Sequence, residues 1–129
     1  MKLFNSDFLK NNLLVHPYDS NPDYFSKINP FYFSADKKFI MAYYEGAVGW
    51  FEIEINDFNQ FNYILEGELE ITSNNKIFNL KTGDCFLIEN NDRLKYRIKK
   101  DIKILLFIYP STSFVLEFLK NLNKESNTK

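Results

Sequence analysis

The stretches Gln60-Phe61-Asn62-Tyr63-Ile64-Leu65-Glu66-Gly67-Glu68-Leu69-Glu70-Ile71 and Leu80-Lys81-Thr82-Gly83-Asp84-Cys85-Phe86-Leu87-Ile88 decide the fold. In the first stretch, apolar and polar residues alternate on both sides of Gly67, which is typical of half-buried strands that meet at a bend. Between the stretches, Asn74 and Asn75 tolerate the positive φ angles of a hairpin turn. The two stretches therefore predict consecutive β-strands with a tight turn between them.

The same period of two extends outward from these stretches over most of the chain. It predicts strands at residues 28–34, 39–44, 51–55, 60–66, around Leu69 and Ile71, and at 76–80, 84–89, 94–99 and 102–109. Pro30 lacks a backbone N–H, so the first of these is expected at a sheet edge. Lys100-Asp101 is expected to join the last two strands tightly. Many short strands with frequent turns indicate an all-β sandwich or small barrel.

Helical patterns flank the strands at both ends. Residues 6–14 predict a short helix with Ser6 as N-cap, and residues 16–27 predict a loop that holds two prolines. After Pro110, an apolar stripe predicts a C-terminal amphipathic helix that packs on the same or a neighbouring barrel; it consists of Val115, Phe118, Leu119 and Leu122. The predicted organisation is a single domain: helix and loop at 1–27, barrel at 28–110, helix at 111–122 and a disordered polar tail at 123–129.

Composition excludes several classes of protein. The 129 residues are 45% hydrophobic and 26% charged, which is an ordinary globular balance. A net charge of −1 argues against nucleic-acid binding. No apolar run approaches the roughly 20 residues of a membrane helix, and the N-terminus is too polar for a signal peptide. The single cysteine predicts a cytoplasmic protein, and the abundance of Lys, Asn, Phe and Ile suggests a bacterial source.

The two opening stretches together resemble the paired motifs of the cupin superfamily, over roughly residues 39–109. This resemblance implies a jelly-roll-like β-barrel. Gly49-Trp50-Phe51, Gln60-Phe61, Gly67, Gly83-Asp84 and Tyr96 are similar to small single-domain cupins of the ethanolamine-utilisation and ureidoglycine-aminohydrolase-like type. Tyr44 stands where that subgroup has a tryptophan before its first motif.

The positions of the family's metal ligands carry other residues here. Gln60 stands in place of the glutamate and Leu94 in place of the second motif's histidine, while no histidine lies between Ile53 and Asn56. The chain has one histidine in all, His16, and multi-histidine zinc or iron sites need more than one. His16 is expected to be a surface or loop-packed residue. We therefore expect no metal and no cofactor.

Two interpretations of the barrel interior remain open from the sequence: a filled core with amides at the mouth, or an apolar pocket with a few polar groups, as small-molecule sites have. The candidate ligand-binding residues are Tyr44, Phe51, Ile53, Ile55, Gln60, Asn62, Phe86, Leu94 and Tyr96. Asp84 is expected to hydrogen-bond the backbone of its turn and Cys85 to be an inert core thiol. No catalytic residue can be assigned. Alternating acidic and basic residues on neighbouring strands are expected to form a solvated face.

The leading functional hypothesis is a metal-free, degenerate cupin that binds a small molecule or acts as an accessory protein. The alternatives are a metal-independent isomerase, lyase or hydrolase acting on a small metabolite, and a ligand-sensing regulatory module. Phe61, Tyr63 and Leu65 are predicted to face outward, so we also expect a homodimer. No nucleic-acid or membrane partner is expected.

Overall fold

Alternating sequence patterns fold into eight strands, each antiparallel to its neighbours, in the computed structural model, which describes residues 1–128. The elements in chain order are α1 (Ser6–Lys10), β1 (Leu14–Pro17), β2 (Phe25–Phe33), β3 (Ile40–Gly46), β4 (Gly49–Glu54), β5 (Asn59–Ser73), β6 (Lys76–Lys81), β7 (Cys85–Ile88), β8 (Arg93–Tyr109) and α2 (Ser113–Thr128). The predicted all-β class with two flanking helices is confirmed.

Two long strands, β5 and β8, organise the sheet. The main strand order is β1-β2-β3-β8-β5-β6, with β4 added on β8 and β7 added on β5. The first part of β5 pairs with β7 and with the end of β8, whereas its last part pairs with β6 and with the start of β8. These two groups of paired strands are the two parts of the barrel, and β5 and β8 run through both. The register between β5 and β8 shifts around Glu66–Leu69, where both strands bend.

Gly67 lies at this bend and has no room for a side chain. Its φ is +106°, and a Cβ would lie 2.3 Å from the Asp101 carbonyl oxygen and 2.9 Å from the Cα of Ile102. Thr82 holds the bend from the other side: its Oγ1 accepts from the Gly67 N–H at 3.1 Å, and its N–H donates to the Gly67 carbonyl at 3.1 Å. Glycine at this position therefore permits the close approach of β5 to β8.

Several boundaries differ from the sequence prediction. β5 and β8 are each continuous where two strands were expected, because bending preserves strand pairing at Gly67 and at Lys100-Asp101. Part of the predicted 16–27 loop forms β1, which pairs with β2 from Leu14 opposite Ile28 to Pro17 opposite Phe25. β2 pairs with β1 only over residues 25–28. Pro30 lies beyond the end of β1 and pairs only with Ala42 of β3, so its segment lies at a sheet edge as expected, and the ladder is irregular just after the proline.

The helices also differ in detail from the prediction. α1 is shorter than residues 6–14, and Asn5 rather than Ser6 caps it, with Oδ1 accepting from the Phe8 N–H at 2.8 Å. α2 begins after Thr112, whose Oγ1 accepts from the Val115 N–H. It continues to Thr128, so residues 123–128 are helical where a disordered tail was expected; Lys129 lies outside the described residues.

One apolar core joins the two parts of the barrel and the C-terminal helix. The buried β8 side chains alternate on both sides of the bend, from Leu94 to Ile98 and from Ile102 to Ile108. Val115, Leu119 and Leu122 of α2 are buried in the same cluster, and α2 packs against β1. The apolar stripe of α2 therefore covers this barrel. The two Asn of the β5–β6 hairpin have the positive φ angles expected from the sequence, 51° and 62°.

Candidate functional site

A partly open cavity of about 400 Å³ lies inside the barrel. Its wall comes from the inner faces of β3, β4, β5 and β8, from β1 and the residues that follow it, and from the start of α2. The inner faces are apolar because side chains alternate across each strand. The structure thus favours the pocket over the filled core that the sequence also allowed.

Stacked aromatic rings form one side of the cavity. Tyr18 stacks between His16 and Phe51, with ring centroids 4.3 Å and 4.0 Å apart. Phe51 continues the column onto Tyr96 at 4.6 Å. Phe118 of α2 meets the His16 ring edge-on at 5.1 Å, which connects the column to the C-terminal helix. Tyr18 and Phe51 therefore pack mainly against other rings on this side of the cavity.

Phenol hydroxyls form a buried polar cluster behind these rings. The Tyr18 hydroxyl shares hydrogen bonds with Ser26 Oγ at 2.7 Å and with the Tyr44 hydroxyl at 2.9 Å. The Tyr24 hydroxyl donates to the Ala47 carbonyl at 2.7 Å. Burial raises the pKa of Tyr18 and of Tyr44 well above the usual value for a phenol. These side chains are therefore uncharged at neutral pH and serve as hydrogen-bonding groups.

Tyr96 differs from the other tyrosines of the cavity wall. Its side chain is 4% exposed, and its hydroxyl has no hydrogen-bond partner among residues 1–128. Among these residues, every polar side-chain atom that is inaccessible to solvent has a hydrogen-bond partner. The unpaired Tyr96 hydroxyl is therefore accessible, and because Tyr96 lines the cavity, the hydroxyl opens onto it. Burial, and then the nearby Tyr44, raise its pKa as well. Tyr96 thus presents a neutral hydroxyl to whatever occupies the cavity.

Two amides of β5 supply a second polar point. Gln60 Nε2 donates to Asn62 Oδ1 at 2.9 Å, and Asn62 Nδ2 donates to the Gln60 carbonyl at 3.2 Å. Asn62 is 1% exposed, whereas Gln60 is half-buried. Among the described residues, Gln60 Oε1 makes no hydrogen bond, which leaves it as an acceptor at the cavity wall.

His16 lies in the cavity wall, on β1, and not in the predicted loop. Its Nδ1 lies 2.8 Å from the Pro17 carbonyl oxygen, which can only accept, so Nδ1 donates and Nε2 carries the lone pair of the neutral ring. Burial lowers the pKa of His16, more than the backbone hydrogen bonds raise it. The ring is therefore neutral at physiological pH.

Seven of the nine predicted ligand-binding residues line the cavity. They are Tyr44, Phe51, Ile53, Ile55, Gln60, Asn62 and Tyr96. Phe86 and Leu94 point to the inner side but pack in the core; Phe86 contacts the Tyr96 ring at a centroid distance of 6.2 Å. These two do not line the cavity because strand alternation fixes only the face on which a side chain lies. What packs over that side chain is set by tertiary structure.

Sequence reasoning missed a large part of the wall. His16 and Tyr18 reach the cavity because β1 pairs with β2, and Phe114, Val115 and Phe118 reach it because α2 folds over the barrel. The apolar stripe of α2 was the one signal that could have placed part of this wall. Nothing local in residues 14–18 predicts a pairing with residues 25–28.

Side chains on the outer face mostly pair with one another. The ion pairs Glu66–Lys103, Glu68–Lys100 and Glu70–Arg97 cross from β5 to β8 at 3.1–3.3 Å. Asp84 Oδ2 accepts from the Lys81 N–H at 2.9 Å, as the turn predicted. Cys85 is exposed and not a core thiol, because it alternates with Phe86 and so faces outward from β7.

The metal positions implied by the cupin resemblance do not fit a metal in this chain. Gln60 and Asn62 are neutral amides that bond each other, and Leu94, Ile53 and Ile55 offer no ligand atom in their side chains. Among the described residues, no group of three or more His, Cys, Asp or Glu side chains could hold a metal ion. Transition metals need converging imidazole, thiolate or carboxylate groups, which this wall lacks.

Comparison with protein families decides the membership of this chain. The family model of the ethanolamine utilisation protein EutQ matches residues 36–113, which is more than half of the chain. The chain belongs to the EutQ family. The match contains the whole of β3 to β8, and with them the stretches 60–71 and 80–88. Comparison with curated proteins gives no match.

Solved structures show the same cupin fold. An ethanolamine utilization protein Q from Salmonella typhimurium LT2 is similar with a TM-score of 0.66 and 15% identity, over 76% of this chain and 80% of that one. Ectoine synthase from P. lautus has a TM-score of 0.71 and 12% identity, over 98% and 87%. The cupin domain of Schizosaccharomyces pombe Cnp3 has a TM-score of 0.59 and 17% identity, over 74% and 70%. At these identities the likeness establishes the fold.

Membrane-spanning character was tested on the helices of the described residues. None of them is both long and apolar enough to cross a bilayer.

Proposed function

We propose that this EutQ-family cupin binds a small organic molecule in its barrel cavity without a metal ion. The single observation that carries the proposal is the cavity of about 400 Å³, which the buried Tyr96 lines and onto which its unpaired hydroxyl opens. A hydroxyl that opens onto a cavity and has no partner in the protein is available to donate a hydrogen bond to a ligand or accept one from it. An apolar wall with a few convergent polar groups is the usual composition of a small-molecule site.

Metal independence is the second part of the proposal. The cupin positions that would hold a metal carry amides and aliphatic side chains, so a ligand must be held by the wall itself. Tyr96 and Gln60 provide hydrogen bonds, while Phe51, Ile53 and Ile55 provide apolar contact. We expect metal analysis of the purified protein to give no stoichiometric metal, and ligand binding to be unchanged by a chelator.

The binding proposal can be tested with benzyl alcohol as the probe and with a variant that blocks the cavity. Ile53 is half-buried in the wall, so Ile53→Trp extends a large side chain into the open space. We expect benzyl alcohol to shift the NMR signals of cavity residues in the native protein and not in I53W. Ile77→Trp is the matched control, because Ile77 is 61% exposed on β6. An absence of shifts in the native protein, or equal shifts in I53W, would contradict the proposal.

A metal-independent enzyme is the second candidate function, favoured by the position of His16. Its Nε2 carries a lone pair, and burial keeps the ring neutral, so it has the form that a general base requires. The phenols of the wall have raised pKa values and would act only as neutral donors. We expect His16→Gln to abolish any turnover of a mixture of uncharged metabolites followed by mass spectrometry. Turnover that persists in H16Q would exclude this role.

We further propose that the protein forms a homodimer through an outer apolar patch, defined as Phe61, Tyr63, Leu65, Leu87 and Phe107. Phe61 pairs with Leu87 on one side and with Phe107 on the other, so the patch spans β7, β5 and β8. Leu87 is 55% exposed and the three β5 side chains are 38–39% exposed. An apolar patch of this kind on a sheet face is typical of protein–protein contacts.

A second copy of the chain suits this patch because its border carries both signs of charge. The pairs Glu66–Lys103 and Glu68–Lys100 lie at one end, so a copy related by a two-fold axis can present opposite charges to them. We expect light scattering to give twice the chain mass of 15.4 kDa, and Leu87→Lys to give a monomer. Ile77→Lys on β6 is the control that should leave the dimer intact. A monomeric native protein at micromolar concentration would contradict the proposal.

A further inference from the structure

The charge of the cavity wall restricts the ligand that the proposed binding site can take. Among the described residues, no Lys or Arg lines the cavity, so no cation is available to neutralise a carboxylate or phosphate. The charged residues at the wall are Asp19, Glu52 and Glu54, all of them acidic and exposed to solvent. Moving an anion from water into such a space is strongly unfavourable unless a positive group compensates it.

The part of the wall around Tyr18 and Phe51 offers little to an organic cation either. A buried cation is stabilised by a carboxylate or by the open face of an aromatic ring. The Glu52 and Glu54 side chains alternate with Phe51, Ile53 and Ile55, so they point away from the interior, and Glu54 pairs with Arg93 at 3.3 Å. Both faces of Tyr18 and of Phe51 are covered by stacked rings.

The polar groups that remain available are neutral. The Tyr96 hydroxyl has no partner among the described residues, and Gln60 Oε1 is a free acceptor within the same wall. A hydroxyl or carbonyl group on a ligand can bond to either of them without any charge being buried. The side chains around these groups are apolar: Ile104, Leu106 and Ile108 on β8, Phe51 and Ile53 on β4, and Ile55 just after β4.

We infer that the ligand is an uncharged molecule with an apolar body and a hydroxyl or carbonyl group, and that the Tyr96 hydroxyl bonds to this group. The inference rests on the proposed binding function, because it specifies the chemical class that the same cavity takes. It distinguishes this site from one built for a carboxylate, which requires a cation, and from one built for an amine, which requires a buried anion.

Three probes of one shape test the charge requirement. Benzyl alcohol, benzoate and benzylammonium share the aromatic ring and differ in charge at neutral pH. We expect benzyl alcohol to bind, and each charged analogue to bind at least about tenfold more weakly, by NMR titration of the native protein. Equal or tighter binding of either charged analogue would overturn the inference and leave the proposed binding function standing. No binding of any of the three would overturn the binding function itself.

The role of Tyr96 is tested with toluene, which has the same ring and no polar group. Tyr96→Phe should weaken benzyl alcohol about tenfold and leave toluene unchanged, because it removes only the hydroxyl. Tyr43→Phe is the matched control, since the Tyr43 hydroxyl donates to Glu45 at 2.7 Å and lies outside the cavity wall. If Tyr96→Phe weakened toluene and benzyl alcohol equally, the substitution would have changed the shape of the cavity. If it did not weaken benzyl alcohol, Tyr96 would make no hydrogen bond to that ligand. Either result overturns the assignment.

Discussion

The bend of β5 at Gly67 allows a quantitative test of how the barrel is held together. In Gly67→Ala the added Cβ would lie 2.3 Å from the Asp101 carbonyl oxygen and 2.9 Å from the Ile102 Cα, and both are backbone atoms that cannot rotate away. The φ of +106° adds backbone strain of about 1–3 kcal/mol. Forcing an extra carbon into close-packed structure costs about another 1–3 kcal/mol. We therefore expect G67A to be destabilised by about 2–6 kcal/mol.

Gly83 provides the control that separates these two costs. Its φ is +92°, similar to that of Gly67, but a Cβ there would meet no atom within 4 Å. Gly83→Ala should therefore carry only the backbone strain of about 1–3 kcal/mol. Urea unfolding measures both variants, and G67A should be the less stable by about 1–3 kcal/mol. If G83A were as unstable as G67A, steric exclusion between β5 and β8 would not be what holds glycine at the bend.

Three further predictions concern the polar groups of the interior. Burial lowers the pKa of His16 below 6.5, so the unfolded chain binds more protons at this residue than the folded chain does. The stability of the native protein should therefore fall as the pH drops through about 6.5. Thermal unfolding should show a weaker dependence on acid pH in His16→Gln. Tyr44→Phe removes the 2.9 Å hydrogen bond to Tyr18 and should lower the free energy of unfolding by about 1 kcal/mol. Tyr96→Phe removes a hydroxyl without a partner among the described residues and should lower it by less. Chemical unfolding of both variants measures the difference. Burial raises the pKa values of Tyr18, Tyr44 and Tyr96, so these phenols ionise at lower pH in the unfolded chain than in the folded one. Stability should therefore fall above about pH 10. In ultraviolet spectra, the ionisation of these phenols should coincide with unfolding.

Strand alternation was sufficient to predict the inner faces of the central strands. Phe51, Ile55, Ile64 and Tyr96 are buried as the period of two predicted, and the Asn-Asn hairpin has the expected conformation. The hairpin conformation depends only on neighbouring residues, and the burial depends only on which face of a strand meets the core. The same reasoning placed Phe61, Tyr63 and Leu65 on the outer face, where they lie.

Features that depend on distant parts of the chain could not be predicted. A bend and a chain reversal have similar sequence signals, so Gly67 and Lys100-Asp101 suggested strand ends where the pairing continues. β1 exists because Leu14 pairs with Ile28, which no local pattern shows. For the same reason His16 was predicted to be a surface or loop-packed residue, although the structure places it in the cavity wall.

Family membership and the cavity draw on different parts of the chain. The EutQ match covers residues 36–113, which contain the strands that make the barrel. His16 and Tyr18 precede this range, and Val115 and Phe118 follow it, yet all four line the cavity. The segments that close the site are thus outside the matched region. Within it, the positions that the cupin resemblance assigns to metal ligands carry Gln60 and Leu94. The family therefore accounts for the barrel, whereas the ligand has to be determined from the neutral, aromatic wall of this chain.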